Sequence, residues 1–364
     1  MAKSRSKRQT SYPLDRFIQP AQLGGIQTAL LDDGPSRGVR VAYVNTGGGL
    51  RYTVSLDRGA DLVDAALNQH SLAFLSSSGM KPASHAYNVG QDWLVGWPGG
   101  LMTTCGPEHI GHPREEPDGT VTNLHGRHSN TPATVESIVN PDPRDNRMEM
   151  SIAARIFDTR MFGPNLEMHR TIRSTLGENT ISLTDVTTNR HPQVVDHALM
   201  YHCNFGWPLL DAGARIVLNG EAELWPAEMQ TAPVPKDVND FKKVIAPTKA
   251  FAGNYRGMLC TPRPDSRGLN HIGLVNAKLG IAVELEFPAK ELPQHLLWQN
   301  FDAGHYVLGM EPLVGTAWGK GKDPKAARTL RGGQSRTTHL TIRVHSAKAA
   351  VAAFLRHDGP LKEV

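Results

Sequence analysis

The sequence predicts an antiparallel all-β protein, a sandwich or a barrel. Short segments with strand character follow one another at close intervals, each bounded by turn residues. No amphipathic helix of about a dozen residues separates them, as the βαβ alternation of a parallel sheet would require. The 364 residues include 35 glycines and 25 prolines, which suits a chain with many turns.

In chain order, the first eight residues carry Lys3, Arg5, Lys7 and Arg8. Residues 1–22 therefore read as a solvated, disordered basic leader. Segments 38–44 and 51–56 pair around Asn45-Thr46-Gly47-Gly48-Gly49, with Tyr52, Val54 and Leu56 on one face. Residues 61–68 read as a helical turn. Strands follow at 148–157, 167–175, 180–187 and 195–205, with Leu176-Gly177-Glu178-Asn179 as a hairpin turn. Further strands are expected at 272–276, 280–287, 306–310 and 338–344. Residues 347–356 form a terminal helix, Ser346 its N-cap and Val351, Phe354 and Leu355 its inner face. The stretches 83–123 and 225–269 are irregular and rich in Pro, Gly, His and Trp; in a β scaffold such excursions plug one end or build a binding site. With no repeat and no domain boundary, residues 23–345 are one domain, and 346–364 a helix and tail.

Composition narrows the function. A content of 39% hydrophobic residues supports a large core, and a formal net charge of +4, concentrated at the start, argues against a nucleic-acid surface. There is no apolar run of membrane-spanning length and no apolar segment behind the basic start, so neither membrane nor secretion is expected and the cytoplasm is the expected compartment. Cys105, Cys203 and Cys260 are widely spaced and odd in number, as for reduced thiols. GxGxxG, P-loop, GxSxG and HExxH patterns are absent, which ranks nucleotide binding, acyl hydrolysis and zinc proteolysis low.

Two strands carry the chemistry. In the segment Leu297 to Pro312, alternation puts Val307, Gly309 and Glu311 on one side and Tyr306, Leu308 and Met310 on the other. A carboxylate there is a solvated strand end or a placed base. In the strand reaching Phe205, His202 shares a face with Met200 and Asn204, so polar groups project from an otherwise apolar strand. His125 and His128 stand three apart in a loop that contains Gly126, a weak pattern for a metal site without a third ligand. Glu284 and Glu286 alternate with apolar residues as in a half-solvated strand.

The order of Leu124-His125-Gly126, of Tyr201-His202-Cys203-Asn204-Phe205-Gly206, of Leu308-Gly309-Met310-Glu311-Pro312 and of Leu330-Arg331-Gly332-Gly333-Gln334-Ser335 resembles the aldose 1-epimerase (galactose mutarotase-like) superfamily. Leu56 to Asp61, Asn276 to Gly280, and Leu292-Pro293 with Trp298-Gln299 are similar to its uncharacterised DUF4432 branch. The resemblance covers residues 25–345. It implies a large antiparallel sandwich with a sugar cleft across one sheet. Glu311 would take the anomeric proton, His202 would protonate the ring oxygen, and His125 would hold a hydroxyl. Arg127, His128, Asn204, Asn270 and Trp298 are the further expected site residues, with Trp93 and Trp97 as packing surfaces for a sugar. Two departures bear on the substrate: 101–107 lacks the superfamily's Asn-Arg pair, and Gly268-Leu269-Asn270-His271 has Asn where an acid is usual.

The expected function is mutarotase-type acid–base catalysis on a monosaccharide or a modified sugar, without a cofactor. The alternatives are a metal-dependent keto-sugar isomerase or lyase using His125, His128 and His202, and a non-catalytic sugar-binding protein. Oligomeric state stays open.

Overall fold

The computed structural model describes residues 12–249 and 255–364. Most of the basic leader, with its cationic run, lies outside them; within its remainder Tyr12 packs on the core and Pro20–Gln22 form a 3-10 turn.

Two large sheets face each other. One runs, in spatial order, through Gly25–Leu30, Arg40–Asn45, Leu50–Ser55, Asp61–Leu67, Met102–Cys105, Leu199–Phe205, His305–Val314, Gln294–Asp302, Tyr255–Thr261, Gly220–Leu224 and Leu361–Glu363. The second runs through Arg215–Val217, Leu269–Asn276, Ile281–Pro288, Ser335–His345, Thr180–Asn189, Asn165–Thr175, Glu149–Thr159 and Thr134–Val139. Pairing is antiparallel except where Leu361–Glu363 lies parallel to Gly220–Leu224. The expected all-β sandwich is the observed fold. Among the described residues no helix is long and apolar enough to cross a membrane.

The period of two explains the core. Tyr201, Cys203 and Phe205 point between the sheets with Leu308 and Met310, and meet Ile172, Leu183 and Ile342 from the second sheet. Met200 and Leu313 point the other way, into a separate cluster with Trp93, Trp97, Trp225 and Leu296. The central strands of the large sheet are thus buried on both faces. Excursions from the sheet, rather than another sheet, cover the outer one.

One polar knot crosses the core. Arg170 of Asn165–Thr175 donates to Asp185 Oδ1 and Oδ2 at 2.9 and 2.6 Å, to Asp61 Oδ1 at 2.9 Å and to Thr104 Oγ1 at 2.7 Å. Tyr201 donates its hydroxyl to Asp185 at 2.8 Å and lies 2.7 Å from Thr338 Oγ1. Burial works against the charge on Arg170, but the Asp185 and Asp61 carboxylates more than offset it and its pKa is raised. A buried charge set of this kind persists because each member is hydrogen-bonded.

Four sequence expectations change. Residues 61–68 are not a helical turn but the strand Asp61–Leu67, in the middle of a sheet; a bulge at Val63 breaks the alternation, so the core residues Leu62 and Ala65 stand three apart, a helical spacing. The terminal helix is Lys348–Phe354 with Ala347 at the N-cap and no side-chain cap, so Ser346 lies one residue outside it. Val351, Phe354 and Leu355 do face inward. The irregular stretches contain the strands Met102–Cys105 and Tyr255–Thr261. Glu284 is not half-solvated: it is 6% exposed, with His271 Nδ1 and His345 Nε2 each 2.6 Å from its carboxylate.

Candidate active site

The neighbouring strands Leu199–Phe205 and His305–Val314 are paired antiparallel, with Met200 opposite Leu313 and Cys203 opposite Met310. That register sets His202 opposite Glu311. Pro312 has no N–H, so the ladder is unmade beside the pair. Both side chains project from the outer face, where His202 Nε2 and Glu311 Oε1 are 3.3 Å apart.

Glu311 is 2% and His202 5% exposed. Burial raises Glu311 well above the usual carboxylate range and lowers His202 to about 4. Both shifts favour the uncharged forms, a protonated Glu311 beside a neutral His202. Glu311 Oε1 and His202 Nδ1 make no hydrogen bond.

His125 completes the polar group. Its backbone is held by N–H donation to Gly111 O at 2.9 Å and by accepting from Gly106 N at 2.9 Å, in a positive-φ conformation (φ 60°). Such a conformation in a non-glycine residue persists only where its surroundings enforce it. Its ring meets His202 edge-on with centroids 5.5 Å apart, and Nδ1 is buried without a hydrogen bond. Burial, then the neighbouring His202, lowers its pKa well below the ordinary value.

Aromatic rings enclose these groups. Trp93 stacks on Trp97 at 5.3 Å and donates Nε1–H to Ser129 at 2.7 Å; Trp97 donates to Thr103 at 3.1 Å, and Thr103 is the residue opposite His202 on the next strand. Trp298, opposite Gly309, reaches His202 with centroids 5.6 Å apart. A β-carbon on Gly309 would overlap Glu311 Oε1 and lie 3.1 Å from the Trp298 ring. Glycine at that position lets indole and carboxylate occupy the same wall. The cavity they line measures about 390 Å³.

Of the expected site residues, Glu311, His202, His125 and Trp298 come together on this cavity, with Trp93 and Trp97. Arg127, His128, Asn204 and Asn270 are not among its lining residues. Arg127 pairs with Asp158 away from it. His128 is 1% exposed with Nε2 3.2 Å from Gly59 O, so the trio His125, His128 and His202 does not converge. Asn204 shares the His202 face, but its amide turns back to Gly100 O and His202 O, at 3.1 and 2.8 Å. Asn270 is buried in the second sheet, opposite Phe287. Arg58, another basic residue near the matched motifs, is 1% exposed and does not line the cavity either. Among the described residues, the His, Cys, Asp and Glu side chains whose ligand atoms converge within 4.8 Å are His271, Glu284 and His357, outside the cavity.

Sequence reasoning missed Trp225, Trp318, Tyr255, Asn300 and His305 on the lining. The crowding of tryptophan into irregular stretches was the available signal for the first of these.

The fold belongs to the galactose mutarotase-like sandwich class. A candidate aldose 1-epimerase from Klebsiella pneumoniae subsp. pneumoniae MGH 78578 is 25% identical, with a TM-score of 0.79 over 93% of this chain and 89% of that one. A galactose mutarotase-like protein from Clostridium acetobutylicum (11% identity, TM-score 0.63, covering 90% and 100%) shares the fold. So does a galactose 1-epimerase from Lactobacillus acidophilus NCFM (11% identity, TM-score 0.56, covering 88% and 98%). The chain belongs to the DUF4432 family, described as a domain of unknown function, whose model matches residues 36–344. No curated protein matches it.

Proposed function

We propose that the protein interconverts the anomers of an aldose, with His202 and Glu311 as its proton-transfer pair. The observation that carries this reading is their arrangement: two titratable groups of opposite type, opposed across adjacent strands, 3.3 Å apart in a buried aromatic cavity.

Opening a pyranose requires a proton to leave O1 and another to arrive at O5. A pair that holds one proton does both. With the proton on His202, Glu311 accepts from the anomeric hydroxyl and His202 delivers to the ring oxygen. The C1–O5 bond breaks, C1 becomes the aldehyde, and rotation about C1–C2 followed by the reverse transfers closes the other anomer. The neutral resting form reaches this state by passing its proton from Glu311 to His202. His125 Nδ1 is an unsatisfied group beside them, placed for a sugar hydroxyl. Indole faces suit the apolar C–H surface of a pyranose.

The test is proton NMR of freshly dissolved α-anomers of an aldose panel, with and without protein. Faster growth of the β-anomer signal for any member supports the reading; rates equal to buffer for all of them reject it.

A further inference from the structure

We propose that the cavity selects a neutral aldose bearing apolar groups, such as a deoxy or O-alkylated sugar, and rejects uronates and sugar phosphates. This inference rests on the anomer-interconverting reading of the same site and adds its substrate class.

Among the described residues the lining carries Glu311 and neither lysine nor arginine. Of its histidines, the buried His125 and His202 and the half-buried His112 are poor cations, since burial disfavours their charged form. A carboxylate or phosphate on the sugar would lose its hydration against indole rings, with no counter-charge. The ordinary routes to anion recognition, an arginine fork or a lysine point charge, are absent here.

Five of the six tryptophans of the chain, Trp93, Trp97, Trp225, Trp298 and Trp318, face one cavity. The wall beyond the proton-transfer pair is continued by Trp225 and Trp318, which meet edge-on at 6.0 Å. Gly257 permits this, because a β-carbon there would overlap the Trp225 ring. Among the described residues the polar lining groups besides the histidines, Glu311 and the indole N–H groups are few: Asn300, Tyr255, Gln91 and Ser76 to Ser78. Asn300 is partly occupied, its Oδ1 accepting from Asp302 N at 3.2 Å. A fully hydroxylated hexose would bury several hydroxyls without partners, each a loss of affinity.

Trp225 Nε1 is buried and unbonded. An indole N–H donates and never accepts, so it suits one ether or hydroxyl oxygen within an otherwise apolar patch. The cavity of about 390 Å³ falls in the range of sites for drug-sized ligands, about 300–1,000 Å³, with room for substituents beyond a bare pyranose.

The experiment compares sugars that differ only at C6: D-galactose, D-fucose, 6-O-methyl-D-galactose, D-galacturonate and D-galactose 6-phosphate. A second series, D-glucose and 3-O-methyl-D-glucose, varies another position. Binding is read from intrinsic tryptophan fluorescence, and anomer exchange by NMR on the same samples. The expected result is binding of a deoxy or O-methyl member at least tenfold tighter than its parent hexose, with none for the two anionic sugars. Parent hexoses that bind equally well, an anionic sugar that binds tightest, or no fluorescence response from any member overturns the inference. If the expected ranking appears in binding while no sugar exchanges anomers faster, the substrate class stands and the catalytic reading falls. If exchange is accelerated without that ranking, the reverse holds. Leu94→Arg, a change at an exposed lining position, is expected to admit galacturonate; failure of the folded variant to bind it counts against the charge argument.

Discussion

Gly309 and Glu311 stand two residues apart on one strand face, and the absence of a side chain on the first leaves space for the carboxylate of the second. Gly309→Ala should leave the sandwich folded, because Glu311 can swing from the added methyl. The carboxylate would then leave its place opposite His202. Misplacement by about 1 Å costs about 100-fold in rate. The check is anomer exchange by NMR beside an unchanged circular dichroism spectrum.

Glu311→Gln and His202→Asn each remove one end of the proton transfer while keeping size and a hydrogen-bonding group. Each should lower the catalysed rate by about 10²–10⁴-fold, with sugar binding by fluorescence retained. The double variant should be little worse than either single one, since the pair acts as a unit. Full activity in either single variant refutes the assignment.

The pH profile follows from the directions of the two shifts. Below about 4, the value to which burial lowers His202, the pair gains a second proton and has no base, so the catalysed rate falls as pH drops through that region. At the other end the shared proton is lost only when pH exceeds the raised value of Glu311, and the acid is then missing. After subtraction of the buffer rate, the catalysed rate should rise from about pH 4 to about pH 5 and level off above it, until pH passes the raised value of Glu311. A fall in rate between pH 7 and 6 would contradict it.

Acid should also unfold the protein. His128, His197, His202 and His295 are buried, and burial lowers them to about 3, 4, 4 and 4. Below about 6.5 the unfolded chain binds protons at these positions and the folded chain does not. Their stability contribution is complete above that pH and is lost as pH falls toward 4. Glu311, Asp61, Asp64 and Asp158, raised by burial, act in the opposite sense, but His109, His112, His125 and His357 are lowered as well, so the lowered histidines outnumber the raised acids. Melting temperature measured from pH 7 to 4 should therefore decrease steadily; a constant value would show that the histidines are not held neutral.

Arg170→Met would strand Asp61 and Asp185 without their shared cation. Breaking a buried pair from one side costs about 3–5 kcal/mol, which urea denaturation would register as a shift of midpoint. Restoring neutrality with Asp185→Asn in the same chain should recover part of the loss.

The sandwich was legible because turn residues punctuate the chain regularly, and the edge and hairpin strands keep a clear alternation. Asp61–Leu67 was not, since the bulge within it puts its core residues Leu62 and Ala65 at a helical spacing. Glu311, His202, His125 and Trp298 could be named from alternation and motif order, which fix a face and a strand. Arg127, His128, Asn204 and Asn270 show the limit of that approach: sharing a motif or even a face says nothing of where a side chain finds its hydrogen bond. Trp225 and Trp318 reach the cavity from irregular chain, whose path no periodicity encodes.

Tyr201 and His202 are consecutive, so they leave their strand in opposite directions, one anchored to Asp185 on the far sheet and one facing the cavity. The aiming of the imidazole is thus set from behind, by a clamp that never meets the ligand. Tyr201→Phe would release that clamp while leaving every lining side chain intact, and its signature would be a lower turnover at unchanged affinity. The sheet opposite the cavity then serves as the mount of the catalytic instrument, and substitutions there register as loss of aim before they register as loss of fold.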